Sequence, residues 1–269
     1  MLRLSGTGVT HVGLVREDNE DSAFYGPDLA LVADGVGGGA AGEIASATTA
    51  YAVAAMAMAR RDEDPTVVLA DAVRAAQEQV LRGVELDERR EGMATTLTAV
   101  LTNGERCALA HLGDSRGYVQ RGDELIQITR DHTYVGHLVD KGRISEEDAA
   151  NHPWRNVVTR SVNGDPTRRA DVLPLALHLA DRLLLASDGL ADLVDDTEIA
   201  VILERHDDDA AVQALLDTAL GRGGRDNITI VLASVIEGPR VAADGKLLGA
   251  VGSPGNVVDP AAVRPMRTA

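Results

Sequence analysis

Aromatic side chains are nearly missing from this sequence: one Phe, one Trp and four Tyr, 2% of 269 residues. Any core must therefore be built from Val, Leu, Ile and Ala, and a hydrophobic content of 45% is enough for a sizeable one. One cysteine, Cys107, excludes an intramolecular disulfide framework. Positive charge is in deficit, with 26 Lys and Arg against 42 Asp and Glu and a formal net charge of -16. A field of that sign repels a phosphate backbone, so nucleic acid is not an expected partner. Cations and basic protein segments are compatible with it. There is no run of ~20 strongly apolar residues of the kind that spans a membrane. The most membrane-like stretch, ASATTAYAVAAMAMA at 45–59, is short, rich in Ala and Thr, and ends at Arg60-Arg61, so it reads as a buried helix. The opening MLRLSGTGVTHVG has no apolar signal region. A soluble, cytoplasmic protein without a membrane partner is the expectation.

Short apolar runs read as strands: HVGLV, LALVA, TLTAVLT, CALAHL, GYVQ, LIQIT, RLLLAS and ITIVLASVI. Asn103-Gly104 lies between two of them and signals a hairpin of type I′. Two helical patterns, 41–61 and 65–88, follow each other with no strand between, and Pro65 suits a first helical turn. Two more fit 196–205 and 208–221. Strands in antiparallel runs and helices in pairs predict an α+β fold, with helix pairs covering a sheet sandwich. Residues 131–169 read as an inserted flap of short helical pieces. From Gly238 the composition shifts to Gly, Pro and Ala without apolar periodicity, which predicts a flexible tail over 238–269.

The stretch LALVADGVGGGAAGE, 29–43, admits two readings. Gly37 to Gly42 fits G-x-G-x-x-G, the dinucleotide fingerprint. That fingerprint wants a strand soon after its helix and an acid at that strand's end. Here a second helix follows instead, and Asp34 would set a negative charge beside a pyrophosphate. The alternative puts the weight on Asp34 itself. Asp188 ends RLLLASD, Asp114 ends CALAHLGD, Asp226 opens DNITIVLASV, and Glu20-Asp21 follow HVGLVREDN. Carboxylates at the ends of neighbouring strands would converge, repel one another and require cations. Oxygen ligands favour Mg²⁺ or Mn²⁺. Taken singly, each Asp-Gly after a strand reads more readily as a turn.

In order along the chain stand VREDNED, VADGVGGGAAGEIAS, MATTLTAV, HLGDSRGYV, ITRDHT, VTRSV, LLLASDGLADLV and GGRDNITIVLASV. This set, spanning 8–236, resembles the bacterial form of the metal-dependent PPM (type 2C) serine/threonine protein phosphatases. The resemblance implies an αββα sandwich with a metal site at one end of the sheets, and a catalytic domain over 1–237. It implies that Asp34 bridges two Mn²⁺ or Mg²⁺ ions, with the Gly35 carbonyl on one and Asp188 and Asp226 on the other. Glu20 and Asp21 match acidic positions that hold metal-bound water, and Asp114 matches a ligand of a possible third ion. Arg16 matches the phosphate-binding arginine, whose planar fork suits phosphate oxygens. Asn227 is expected to orient Asp226 or cap its turn. The implied activity is hydrolysis of phosphoserine and phosphothreonine by a metal-bridging hydroxide, with no covalent intermediate. The implied partners are phosphorylated proteins and their cognate serine/threonine kinases.

Two positions depart from the pattern. Gly39 stands where bacterial members often have His, which leaves the leaving-group acid unassigned. Ala94 stands where Gly is usual. Other phosphatase chemistries lack their motifs: Cys107 is followed six positions later by Gly113 rather than Arg, and no D-x-D-x-T, P-loop or H-E-x-x-H spacing occurs. Thr95-Thr96, Ser115-Arg116 and His132 read as structural. A catalytically silent phosphoprotein-binding domain on the same fold is the competing reading, and the retained Asp34, Asp188 and Asp226 argue against it.

Overall fold

A computed structural model of the protein describes residues 1–36, 41–242 and 244–261. Its strands are β1 Leu2–His11, β2 Ser22–Tyr25, β3 Leu29–Ala33, β4 Gly35–Val36, β5 Ala94–Thr95, β6 Leu97–Thr102, β7 Cys107–Leu112, β8 Arg116–Arg121, β9 Glu124–Gln127, β10 Asp171–Leu175, β11 Arg182–Ala186, β12 Ile228–Glu237 and β13 Lys246–Gly249. Its helices are α1 Gly42–Ala59, α2 Pro65–Leu86, α3 Tyr134–Asp140, α4 Glu146–Ala150, α5 Asp188–Ala191, α6 Asp196–Arg205 and α7 Asp208–Gly221.

Two antiparallel sheets carry the fold, in the orders β1-β12-β11-β8-β9 and β10-β7-β6-β3-β2-β13. The strand period of two divides each apolar run between two cores. In β3, Ala30 and Val32 face the partner sheet, while Leu29 and Leu31 face the helices. In β11, Leu183 and Leu185 face inward, and Leu184 and Ala186 face out. Covered on both faces, these strands show no polar alternation, which is why they read as unbroken apolar runs. Helices α1 and α2 close the six-stranded sheet, with Ala50, Val53, Leu69 and Val80 against Leu31, Leu97 and Leu112. Helices α6 and α7 close the five-stranded sheet, with Ile199, Leu203 and Leu215 against Leu184, Ile230 and Leu232. The architecture is the αββα sandwich anticipated from the order of elements. The flanking helices also start where the sequence places them: Pro65 opens α2, and the Asp64 side chain accepts from the Thr66 N–H at 2.9 Å. No described helix is long and apolar enough to cross a membrane.

Three local expectations are corrected. HVGLV is not a strand: β1 ends at His11, and its partner β12 runs opposite it in register from Leu2↔Glu237 to His11↔Ile228. The glycines of β1 hid it, because Gly6 and Gly8 interrupt the apolar pattern where the strand packs against Tyr25. The hairpin at Asn103-Gly104 is not a two-residue I′ turn. Thr102 pairs with Cys107, leaving a four-residue loop in which Gly104 (φ +92°) has positive φ and Asn103 does not. Asn103 instead accepts the N–H groups of Glu105 and Arg106 through Oδ1, at 3.1 and 2.9 Å. Finally, residues 246–261 are not a free appendage. β13 pairs with β2 at the sheet edge, and Ala250, Val251 and Val257 are buried against α1. Residues 262–269 lie outside the described residues.

Candidate metal centre

Register brings the acidic positions together. In the six-stranded sheet, Ser22 pairs with Ala33, Val32 with Thr98, and Leu97 with Leu112. That puts Asp21, Asp34, Thr96 and the Gly113–Ser115 turn at one end of the sheet. In the five-stranded sheet, Ala186 pairs with both Arg116 and Ile230, and Thr10 with Thr229. That puts Asp188, Asp226, Asn227 and the loop after His11 at one end as well. The β7–β8 connection joins the two ends, since Asp114 follows β7 of one sheet and precedes β8 of the other.

Asp34 is fixed through its backbone. Its N–H donates to Thr96 Oγ1 at 2.9 Å, and its carbonyl accepts from the Thr96 N–H and Thr95 Oγ1, both at 2.8 Å. Thr96 Oγ1 lies 2.7 Å from Ser115 Oγ. The structural reading of Thr95, Thr96 and Ser115 has this physical content: the Thr95 and Thr96 hydroxyls occupy the Asp34 main chain, Ser115 Oγ backs Thr96, and the Asp34 carboxylate is left to the cluster. That carboxyl is held well above the usual range, first by burial and then by the charges of Asp21, Asp188, Asp114 and Asp226. Gly35 has no room for a side chain, because a Cβ there would stand 2.6 Å from the Glu20 and Gly42 carbonyl oxygens.

Asp188 opens α5 and is likewise raised, by burial and then by Asp114, Asp226, Asp192 and Asp21. Asp21 is fully buried. Ser187 Oγ donates to its Oδ2 at 2.9 Å, while its Oδ1 has no partner among the described residues. Burial lifts Asp21 to about 6, opposed by the hydroxyls of Thr229 and Ser187. Asp114 is also lifted to about 6, by burial and then by Asp131 and Asp192. Glu20 is raised by burial and by Glu43 at the start of α1. Asp192 was not among the acids singled out from the sequence. Its signal was present in DGLAD: four residues beyond Asp188, it returns to the same side of a helical turn, where its N–H donates to the Asp188 carbonyl at 2.8 Å.

Arg16 stands at the rim, half exposed, with Nη2 donating to Asp226 Oδ2 at 2.7 Å. No other bond to its guanidinium forms among the described residues, so most of its fork is open. Asn227 has a larger part than the sequence suggested. Its N–H donates to Asp226 Oδ1 at 2.8 Å, which orients that carboxylate. Its side chain faces the other way: Nδ2 donates to the Val12 and Asp18 carbonyls at 2.9 Å, and Oδ1 accepts from the Glu20 N–H at 2.8 Å. One buried amide thus pins the loop that carries Arg16 and starts the Glu20-Asp21 segment. His132 is structural, as read. Nδ1 accepts from the Gly113 N–H at 3.1 Å and Nε2 donates to Asp171 Oδ2 at 2.9 Å, which props the turn before Asp114.

Gly37 to Ala40, including Gly39, lie outside the described residues. The dinucleotide reading fails on β3, which is antiparallel to both β2 and β6, where a βαβ crossover would be needed. Divalent ions fit what remains: oxygen donors only, an orphaned carboxylate oxygen on Asp21, and buried acids that repel each other when ionised. Among the described residues, no three His, Cys, Asp or Glu side chains stand in an arrangement that would hold an ion as it is.

Two packed antiparallel sheets, outer helix pairs and an acidic pole where the sheets meet define the class: an αββα sandwich built around a carboxylate centre. The chain belongs to the protein phosphatase 2C family, whose model matches residues 5–220. It is 44% identical over 228 residues to the serine/threonine protein phosphatase PstP of Mycobacterium tuberculosis, covering 84% of this chain and 44% of PstP. The chain therefore spans about half the length of that relative. It is 33% identical over 236 residues to the serine/threonine phosphatase stp of Listeria monocytogenes, covering 83% of this chain and 92% of that protein. Among solved structures, PstP/Ppp of M. tuberculosis superposes with a TM-score of 0.84 at 41% identity, covering 87% of this chain and all of that one. The PstP catalytic domain in complex with two manganese ions superposes at 0.80, also at 41% identity, over 88% of this chain and all of that one.

Proposed function

We propose that this protein is a metal-dependent protein phosphatase that hydrolyses phosphoserine and phosphothreonine without a covalent intermediate. The observation that carries the reading is the acidic pole itself, in which Asp34, Asp188 and Asp226 are retained at three strand ends of a protein phosphatase 2C fold. Asp34, the Gly35 carbonyl, Asp188 and Asp226 would hold two Mn²⁺ or Mg²⁺ ions, with Glu20 and Asp21 placed for ion-bound water. Asp114 and Asp192 would take a third. Bound there, such ions supply a water acidified toward neutral pH and neutralise phosphoryl charge.

The chain's own groups do the rest. Arg16 presents its open N–H groups to the phosphoryl oxygens, a charge-assisted contact available to a substrate at the rim. Thr95, Thr96 and Asn227 hold Asp34, Asp226 and the Arg16 loop, so that little reorganisation is needed when substrate docks. The segment 131–169 lies between β9 and β10, and Asn156 Nδ2 donates to Asp192 Oδ2 at 3.2 Å. We assign this flap to the selection of phosphoproteins at the site's edge. Phosphorylated proteins and the serine/threonine kinases that modify them are the proposed partners, in the cytoplasm.

Phosphate release from a phosphothreonine peptide, measured with Mn²⁺, with Mg²⁺ and with excess chelator, tests the reading. Turnover with either ion and none in chelator is expected. Full turnover in chelator would overturn the metal mechanism. A folded, Mn²⁺-loaded protein without turnover would favour a binding domain.

A further inference from the structure

The family match ends at residue 220, and the segment beyond β12 reaches back to the acidic pole. β13 first extends the six-stranded sheet through β2. The chain then passes beneath the acids. The Ala250 N–H donates to the Asp21 carbonyl at 2.8 Å, and the Val251 N–H donates to Ser22 Oγ at 3.1 Å. Ser22 Oγ lies 2.9 Å from Ser46 Oγ on α1, and Ser46 Oγ donates to the Glu20 carbonyl. Three consecutive residues, Glu20 to Ser22, are thereby clamped between α1 and this strap. The approach is close. Gly249 has φ +76°, and a Cβ there would stand 2.2 Å from the Asp21 carbonyl oxygen.

The strap is anchored at its far end too. Asn256 Nδ2 donates to the Ala250 carbonyl at 3.0 Å, the Val258 N–H donates to Thr48 Oγ1 at 3.2 Å, and Tyr51 Oη donates to the Pro260 carbonyl at 3.3 Å. Ala250, Val251 and Val257 are buried in the α1–α2 core. Asp21 is fully buried, with Oδ2 held by Ser187 Oγ and Oδ1 without a hydrogen-bond partner among the described residues, so the position of its main chain bears directly on where that open oxygen stands. The strap holds that main chain on one side, and Asn227, through the Glu20 N–H, on the other.

We propose that Gly249, Ala250 and Val251, the near end of the strap, position Glu20 and Asp21, and that this contact, rather than burial of the far end, sets the divalent-cation affinity of the centre. This rests on the reading of the acidic pole as a metal site. Groups that orient a metal site from outside its ligands typically change affinity 10- to 100-fold when lost.

The test is Mn²⁺ titration by calorimetry on three forms of the full chain, each with its melting temperature measured in chelator. Gly249→Val forces the strap off Asp21 and is expected to weaken Mn²⁺ binding by about 10-fold or more. Val257→Ala opens a cavity at the far anchor and leaves the Ala250–Asp21 bond in place. It is expected to melt earlier yet bind Mn²⁺ like wild type. Equal affinity in Gly249→Val and wild type would overturn the proposal and leave the strap a stabilising element only, as would an equal loss in both variants. Should Gly249→Val fail to fold, Ser22→Ala replaces it, since it removes the acceptor of the Val251 N–H. An unchanged affinity in folded Ser22→Ala would likewise overturn the proposal. A wild type that binds no Mn²⁺ would instead overturn the metal reading beneath it.

Discussion

Asp34 and Asp188 are carboxyl groups held where ionisation is costly, and that cost points to a cation. Asp188→Ala is expected to lower kcat/KM by at least ~100-fold, the scale on which an electrostatic stabiliser acts when removed. Its circular dichroism should match wild type, and its melting temperature in chelator should not fall, because the lost group carries burial and like-charge repulsion in the metal-free fold. Arg16→Ala is expected to raise KM for a phosphopeptide. Its half-exposed pair with Asp226 contributes only ~0–1 kcal/mol, so Mn²⁺ affinity measured by calorimetry should change by less than about 5-fold. His111 offers a pH prediction away from the ligands. Burial first, then the charge of His132, lowers it to about 4. A histidine with a lowered pKa in the fold stabilises it above the unfolded value, and that contribution is lost as pH falls from about 6.5 through about 4. The His111 ring should still give the NMR shifts of a neutral imidazole at pH 5. A midpoint near 6.5 would contradict its placement between Thr98 Oγ1 and the Arg130 carbonyl, each 3.0 Å away.

At the scale of elements, legibility followed local chemistry. β3, β7, α6 and α7 could be read to within a residue or two, because each is an apolar run or a periodic pattern bounded by turn residues. β1 and β13 could not. The first is broken by glycines that its packing needs, and the second is four residues of mixed polarity made a strand only by its partner β2. The strap was misread for the same reason: its three buried side chains have no period. Ending the chain after Glu237 should therefore be harmful. Burying a Val side chain contributes roughly 1.5–3 kcal/mol, so losing Val251 and Val257 is expected to cost about 3–6 kcal/mol, less what ordering the strap takes. Calorimetric melting in chelator should fall by more than ~5 °C. An unchanged melting temperature would show that the strap contributes nothing to the fold.

The molecule as a whole carries a net charge of -16 and gathers buried acids at one pole. On the proposed reading of that pole as a metal site, cation binding and folding are coupled. Mn²⁺ at 100 times its Kd should add about 2.7 kcal/mol of stability, a rise of roughly 5–10 °C in melting temperature for a chain of this size. Thermal melts across an Mn²⁺ series check this. The rise should disappear in the Asp188→Ala protein, where the site is incomplete.

Much of the candidate site was legible in the residues: Asp34, Asp114, Asp188 and Asp226 each end or open an apolar run, and those runs come in the order of a known family. Apolar patterning and turn chemistry are local, so a strand and the acid at its tip can be read without knowing the strand's neighbour. Only the tertiary structure decided what meets what. It set Asn227 against Val12, Asp18 and Glu20, turned Arg16 onto Asp226, drew Asp192 in beside Asp114 and Asp188, and ran the strap under Asp21. Several of these contacts join residues some 200 positions apart. They follow from strand order and register, which depend on the packing of whole faces and leave no mark in any short stretch of sequence.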